Sequence, residues 1–381
     1  MNNSSADYIL MNFTYRMDPL NVPFSMKVTY SSLISFLLIV GIPGNVLVVY
    51  VVGRYSAMQT TTNLYLMSLS IADLLHLAQI VFVVNVILTE KFIFGKWLCK
   101  LHLTLEATNS LAVTFILTAT SVDRYLAVCH PLKSQTFRSP KVARTIIVLI
   151  WLICLFMLCP LFIYANITMN TKNNETTPQC MIDLGEKKLT FVQYTFILGF
   201  ALPVCSISVF YLLVISKLRN IHRANISRSK DRRDSVQRII KMILALILIY
   251  IVLWFPYWIH QWIIQFNDVD PILSFYVGLF TQFLGYLNSS INPILYAFLS
   301  QNFRVMFVQI LNCQGNRFLK EVFPESSVIK RGRSLTSQIK TKQSSINNKT
   351  ANSNFNHQAK CDDQEKNDIK NSVEFLETHF E

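Results

Sequence analysis

Apolar residues gather into seven long runs with short polar stretches between them. They run approximately Tyr30–Val52, Asn63–Leu88, Trp97–Val128, Val142–Tyr164, Phe191–Ile215, Ile239–Gln265 and Leu273–Phe298. Each is long enough to cross about 30 Å of hydrocarbon as a helix, which takes roughly 18 to 20 apolar residues. The pattern predicts an all-α membrane protein, a seven-transmembrane helix bundle. Beyond the last run, Phe303, Phe307, Ile310 and Leu311 recur at helical spacing with Arg304 and Gln309 on the other side, which predicts a short amphipathic eighth helix at the interface. The polar stretches divide the chain into an N-terminal tail over 1–29, a bundle over 30–300, the amphipathic helix over 301–313 and a tail over 314–381. The last of these is rich in Ser, Asn and Lys, a composition expected to stay disordered.

Composition agrees with the pattern: 52% of residues are hydrophobic, and the seven runs leave no room for a separate soluble domain before Ser300. The net charge of +13 resembles a nucleic-acid signal until its placement is considered. Lys and Arg crowd the loops after the first, third and fifth runs, including Arg138, Lys141, Arg144 and the stretch from Lys217 to Lys241, and are sparse on the other side. The positive-inside rule accounts for this charge with a cytoplasmic face, and predicts a multi-pass plasma-membrane protein with its N-terminus outside. No Lys- or Arg-headed apolar run begins the chain, so the first run is expected to act as the insertion signal. Sequons at Asn3, Asn12, Asn166 and Asn174 fall on the outer face and are candidate glycosylation sites, while a further match at Asn225 falls inside. Of the eight cysteines only Cys99 and Cys180 lie on the oxidising outer side, and they are expected to pair. On the inner side Cys313 is a candidate for palmitoylation, and Ser334, Thr336, Ser337, Ser344 and Ser345 are candidate phosphorylation sites.

Charge inside hydrocarbon is costly, so the ionisable residues within the runs mark function. The third run has Glu106 near its start and Asp123-Arg124-Tyr125 at its end, about five turns apart, so one helix links two distant polar sites. Asp73 in the second run must face the bundle and reads as an ion or switch site, and Asn45 is the polar interior residue of the first. Pro203 permits a bulge in the fifth run. Pro256 is expected to kink the sixth within Trp254-Phe255-Pro256-Tyr257-Trp258, and Asn288 to Tyr296 reads as a polar break in the seventh. The chain lacks H-E-x-x-H, G-x-x-x-x-G-K-[ST], G-x-S-x-G and C-x-x-C, so an enzyme is not expected. Nor does it show the inverted repeats of a transporter.

Seven runs together with Asp123-Arg124-Tyr125 and Asn292-Pro293-x-x-Tyr296 resemble the rhodopsin-like (class A) G-protein-coupled receptors. Three stretches, Ser121 to Ser134, Trp254 to Trp258 and Asn292 to Ser300, are most similar to the somatostatin, opioid and allatostatin C peptide receptors. The resemblance implies a receptor for an extracellular neuropeptide that signals through a heterotrimeric G protein of the inhibitory class, with arrestin and receptor kinases acting on a phosphorylated tail and membrane lipid around the bundle. It places ligand contacts at Glu106, Asn109, Tyr257, Trp258, Gln261, Gln282 and Tyr286, with the Tyr286 phenol holding the Glu106 carboxylate. The activation switch falls on Asp123, Arg124, Tyr125, Trp254, Pro256, Asn292, Pro293 and Tyr296. A polar network of Asn45, Asp73, Asn109, Asn288 and Asn292 is where an allosteric sodium ion would sit at Asp73, although Val113 stands where a Ser usually helps to hold it. No cofactor is otherwise expected. Glu106 itself replaces the Asp of those receptors. Opsins need a lysine in the seventh helix, which has none between Leu273 and Phe298. A biogenic-amine receptor is the alternative, since a helix-three acid can pair with an amine as well as with a peptide Lys or Arg.

Overall fold

A computed structural model describes residues 22–134, 138–172, 175–182, 184–223, 230–266 and 269–311. Asn3, Asn12, Asn174, Cys313 and the candidate phosphorylation sites lie outside the described residues. The bundle is built from α1 (Phe24–Arg54), α2 (Thr61–Ala78), α3 (Ile80–Thr89), α4 (Gly95–Cys129), α5 (Pro140–Met157), α6 (Cys159–Tyr164), α7 (Lys188–Phe196), α8 (Leu202–Arg223), α9 (Lys230–Phe266) and α10 (Pro271–Leu299). The amphipathic α11 (Gln301–Leu311) follows, and a hairpin of β1 (Ala165–Lys172) and β2 (Glu175–Ile182) lies between α6 and α7.

The apolar runs map onto these elements with informative differences. α1 starts at Phe24, inside the stretch assigned to the tail. Hydropathy dips there because Ser25, Lys27 and Thr29 interleave with apolar residues, and the Lys27 ammonium pairs with Glu90 at the end of α3, which ties down the first turn. The second run is two helices, α2 and α3, that meet at Gln79. The fourth divides before Pro160, which cannot continue the hydrogen-bond ladder of α5 and instead opens α6. In the fifth, the bulge expected of Pro203 is a π-helical segment, Ile197–Ala201, joining α7 to α8. The polar break expected in the seventh run is absent: α10 continues through Asn292-Pro293 to Leu299. Its polar side chains bond to neighbouring helices instead of interrupting their own.

Six spans are long and apolar enough to cross a membrane by composition alone among the described residues. α10 has the length, but Thr281, Gln282, Asn288, Ser289, Ser290 and Asn292 are all buried in it and lower its hydropathy. α4 is the central helix, with 61% of its most apolar window buried against 17% for the peripheral α5. α1 and α10 meet so closely that a Cβ on Gly41 would lie 2.8 Å from Ser290 Oγ and one on Gly44 2.9 Å from Pro293. Glycine is required at both.

The hairpin of β1 and β2 has no counterpart in the expectations from the sequence. β1 and β2 are antiparallel, with Ala165 opposite Ile182 and Ile167 opposite Cys180. Two anchors hold it over the bundle: the Cys99–Cys180 disulfide, as expected, and a bond from Phe92 N to Pro178 O of 2.8 Å. Lys100, next to Cys99, donates to the carbonyls of Phe162 (2.7 Å) and Ile163 (3.0 Å) at the end of α6. Asn166 is exposed on β1, open to modification.

Candidate functional site

Glu106 lies about three turns into α4 and is only 3% exposed. Its polar surroundings come from three helices: His102 Nε2 on its own helix at 3.8 Å, Gln282 on α10, and the phenols of Tyr257 on α9 and Tyr286 on α10 within electrostatic reach. Gln282 Oε1 accepts from Tyr30 of α1 at 3.0 Å. The hydrogen bond expected from Tyr286 to the carboxylate is not made. The Tyr286 ring packs on His76 of α2, centroids 4.7 Å apart, and its hydroxyl has no partner within the protein.

On α4 and α9, buried polar atoms remain without partners within the protein: Glu106 Oε2, Asn109 Oδ1, Trp258 Nε1, both amide atoms of Gln261, and Trp254 Nε1. Leaving one such group unmet typically costs about 1–3 kcal/mol. An incoming ligand can recover that cost. An aromatic chain frames the region. Phe200 contacts Tyr250 and Trp258, Trp258 contacts Tyr257, and Tyr257 stands edge-on to Trp254 at 5.7 Å. Pro256 lies inside α9 between these rings.

Below Trp254 the network changes from aromatic to polar. His76 lies 6.2 Å from the Trp254 ring, and its Nδ1 bonds Ser289 Oγ at 3.0 Å. Asn292 Nδ2 donates to Asp73 Oδ2 at 2.7 Å, and Asn45 Nδ2 donates to the carbonyls of Gly41 and Ser289 at 3.0 Å each. Asn288 is buried beside them in α10. Asp73 Oδ1 and Asn45 Oδ1 have no partner within the protein. A buried carboxylate oxygen without a donor suits a small hard cation such as sodium, with Asp73 as its anionic ligand. Val113 contributes no oxygen, and Ser289 is engaged by His76.

At the end of α4 far from Glu106, Asp123 holds two arginines. Its Oδ2 accepts from Arg124 Nε (3.0 Å) and Nη2, and its Oδ1 accepts from Arg138 Nε at 2.9 Å. Arg124 Nη2 also donates to Thr62 of α2. Tyr125 packs against Phe210, centroids 5.4 Å apart, and bonds His130 Nε2 at 3.2 Å. Tyr296 is fully buried, its ring 5.7 Å from Phe303 of α11 and its hydroxyl unpartnered within the protein.

Residues 44–296 match the family described as "7 transmembrane receptor (rhodopsin family)". The chain belongs to that family. It is a G-protein-coupled receptor and not an enzyme. The receptor is 35% identical over 282 residues to somatostatin receptor type 1 of Rattus norvegicus, covering 74% of this chain and 71% of the relative. It is 36% identical over 287 residues to the rat type 4 receptor, covering 74% and 73%, and 34% identical over 278 residues to the type 2 receptor of Mus musculus, covering 72% and 74%. The family landmarks were readable in the receptor's sequence, whereas four polar residues that organise its sites were not singled out there. His102 was recoverable from its i, i+4 spacing to Glu106. Gln79, His76 and Arg138 depend on which helix packs beside which, and no local pattern marks them.

Proposed function

We propose that the receptor binds an extracellular neuropeptide of the somatostatin or allatostatin C kind and that Glu106 pairs with a Lys or Arg side chain of that ligand. The observation that carries this reading is an almost fully buried acid whose Oε2 lacks a partner, on the helix to which the hairpin is tied by Cys99–Cys180. The similarity to somatostatin receptors supports the peptide class. In the proposed cycle the peptide enters from the outer face, on the side of the N-terminus, and contacts Asn109, Tyr257, Trp258, Gln261, Gln282 and Tyr286. It shifts the population toward an arrangement in which Arg124 leaves Asp123 and meets an inhibitory heterotrimeric G protein. Trp254, Pro256, Asn292, Pro293 and Tyr296 lie on the route between the two ends. A sodium ion at Asp73 would stabilise the resting arrangement. Receptor kinases and arrestin act on the tail, and lipid surrounds the spans.

The test is inhibition of stimulated cyclic AMP in cells expressing the full-length receptor, screened against somatostatin, allatostatin C, a wider neuropeptide library and the biogenic amines. A peptide carrying Lys or Arg is expected to activate at nanomolar concentration. Activation by an amine with every peptide silent would move the assignment to the biogenic-amine receptors.

A further inference from the structure

Glu106 is the acid assigned above to the ligand's cation, and the inference rests on that reading. His102 sits one turn closer to the outer end of α4, with Nε2 3.8 Å from Glu106 Oε2, an ion-pair separation longer than a hydrogen bond. Its other ring nitrogen, Nδ1, lies 2.6 Å from Gln79 Oε1. A carbonyl oxygen only accepts, so Nδ1 carries hydrogen, and in a neutral imidazole Nε2 is then a bare lone pair. That lone pair faces a carboxylate oxygen that has no hydrogen-bond partner within the protein.

Two acceptors held face to face in a buried site leave both unsatisfied. One proton on either group removes the conflict: on the imidazole it makes an ion pair at 3.8 Å, and on the carboxyl it turns one acceptor into a donor facing the other. The surroundings hold this arrangement in place. Gln79 stands where α2 meets α3, its own N–H bonded to His76 O at 3.0 Å, and the imidazole packs against Phe82 at 5.0 Å and Phe92 at 6.2 Å.

We propose that the empty receptor stores one proton between His102 and Glu106, and that a cationic side chain of the ligand takes that proton's place, so that binding releases it to solvent. The charges balance. The protonated pair is neutral, the deprotonated pair with the ligand's ammonium or guanidinium is neutral, and one proton leaves for each cation bound. An uncharged ligand side chain releases none. Gln79 and His102 are therefore positioning residues that make the site select a cation and make its affinity rise with pH. The groups facing the pair are the imidazole of His76 from α2, the phenols of Tyr257 from α9 and Tyr286 from α10, and the neutral Gln282 from α10. Phenols stay uncharged between about pH 5 and 8, the range in which histidines change charge. The imidazole of His76 is present in the parent, in His102→Gln and in Glu106→Gln alike, so it cannot account for a slope that the variants lose.

The experiment measures binding of somatostatin, and of an analogue with norleucine in place of lysine, to the full-length receptor in lipid nanodiscs over that pH range. For the parent, somatostatin affinity is expected to rise by up to about tenfold per pH unit, the limit for one proton, while the analogue binds more weakly with a flat profile. His102→Gln cannot exchange a proton and should flatten the somatostatin profile, as should Glu106→Gln. Should His102→Gln fail to reach the surface, titration calorimetry of the parent in two buffers of different ionisation enthalpy gives the proton count directly, about one for somatostatin and none for the analogue. Strong preference for somatostatin with a flat profile or no proton release, or a slope that survives in His102→Gln or Glu106→Gln, overturns the proton store and leaves Glu106 as the counter-ion. Somatostatin that does not bind, or binds no better than its analogue, overturns the reading of Glu106 itself.

Discussion

Glu106 condenses the ligand question into one carboxylate. Its Oε2 is shielded from solvent and without a donor, so a cation arriving there meets little competition from water. Removing one partner of a desolvated charge pair typically costs about 2–5 kcal/mol, whereas a packing residue costs about 1. Glu106→Gln keeps the shape and deletes the charge, so radioligand competition should show the affinity of a Lys- or Arg-bearing peptide falling by at least about 30-fold, equivalent to roughly 2 kcal/mol. Glu106→Asp, one methylene shorter, should recover part of that loss. The Gln variant should also be indifferent to neutralising the peptide's cation, and equal sensitivity in parent and variant would remove Glu106 from the role. The acid itself was legible because a lone carboxylate in an apolar run is conspicuous. The bonding of Tyr286 was not, because its ring packs against His76, a residue of another helix whose approach no spacing reveals.

Elements, more than single side chains, decide how Arg124 is held. The segment between α4 and α5 includes Arg138, whose N–H bonds Ser134 O at 2.9 Å and whose carbonyl accepts from Thr61 of α2 at 3.3 Å. These backbone contacts bring its guanidinium to Asp123, so the carboxylate is shared by the arginine expected to move and by one that stays with the loop. Asp123→Asn removes the restraint from Arg124. With hydrogen bonds to charged groups worth about 1.5–3 kcal/mol, basal G-protein activation should rise on the order of tenfold. Arg138→Gln should act in the opposite direction, since Asp123 is then left to Arg124 alone. A resonance-energy-transfer sensor of G-protein dissociation reads both, and a rise in basal signal in Arg138→Gln would show that the loop arginine locks the resting form. Ser139-Pro140 marked the start of α5 from the sequence, with Ser139 Oγ accepting from Val142 N at 3.3 Å. It carried no sign that the preceding Arg turns back under α4. The outer hairpin was hidden for a different reason. Its first strand alternates Ala165, Ile167 and Met169 with the polar Asn166 and Thr168, and a reading keyed to long apolar runs passes over it as loop.

Across the whole molecule, α4 joins the two sites as one unbroken helix, and Arg124 lies 18 residues from Glu106, about 27 Å at 1.5 Å per residue. Neither site touches the other, so coupling between them has to come from two arrangements of the bundle that each ligand prefers unequally. Linkage then demands reciprocity: a G protein that favours the open arrangement must raise agonist affinity by the factor with which the agonist raises affinity for the G protein. Factors of about 5 to 150 are usual for such couplings. Agonist affinity measured on the full-length receptor, with and without nucleotide-free G protein, should differ by a factor in that range. In Arg124→Ala the affinity without G protein should stay within a few-fold of the parent, because the ligand never meets that side chain, and added G protein should change it by less than about twofold. Glu106→Gln should lower affinity in both conditions and leave their ratio near the parent's, because it weakens the ligand's hold without altering the inner end. An Arg124→Ala receptor that still gains agonist affinity from G protein would place the coupling outside the Asp123-Arg124 pair. Tyr211 would then be the next residue to substitute, being buried on α8 within electrostatic reach of Arg124 and with its hydroxyl unpartnered within the protein.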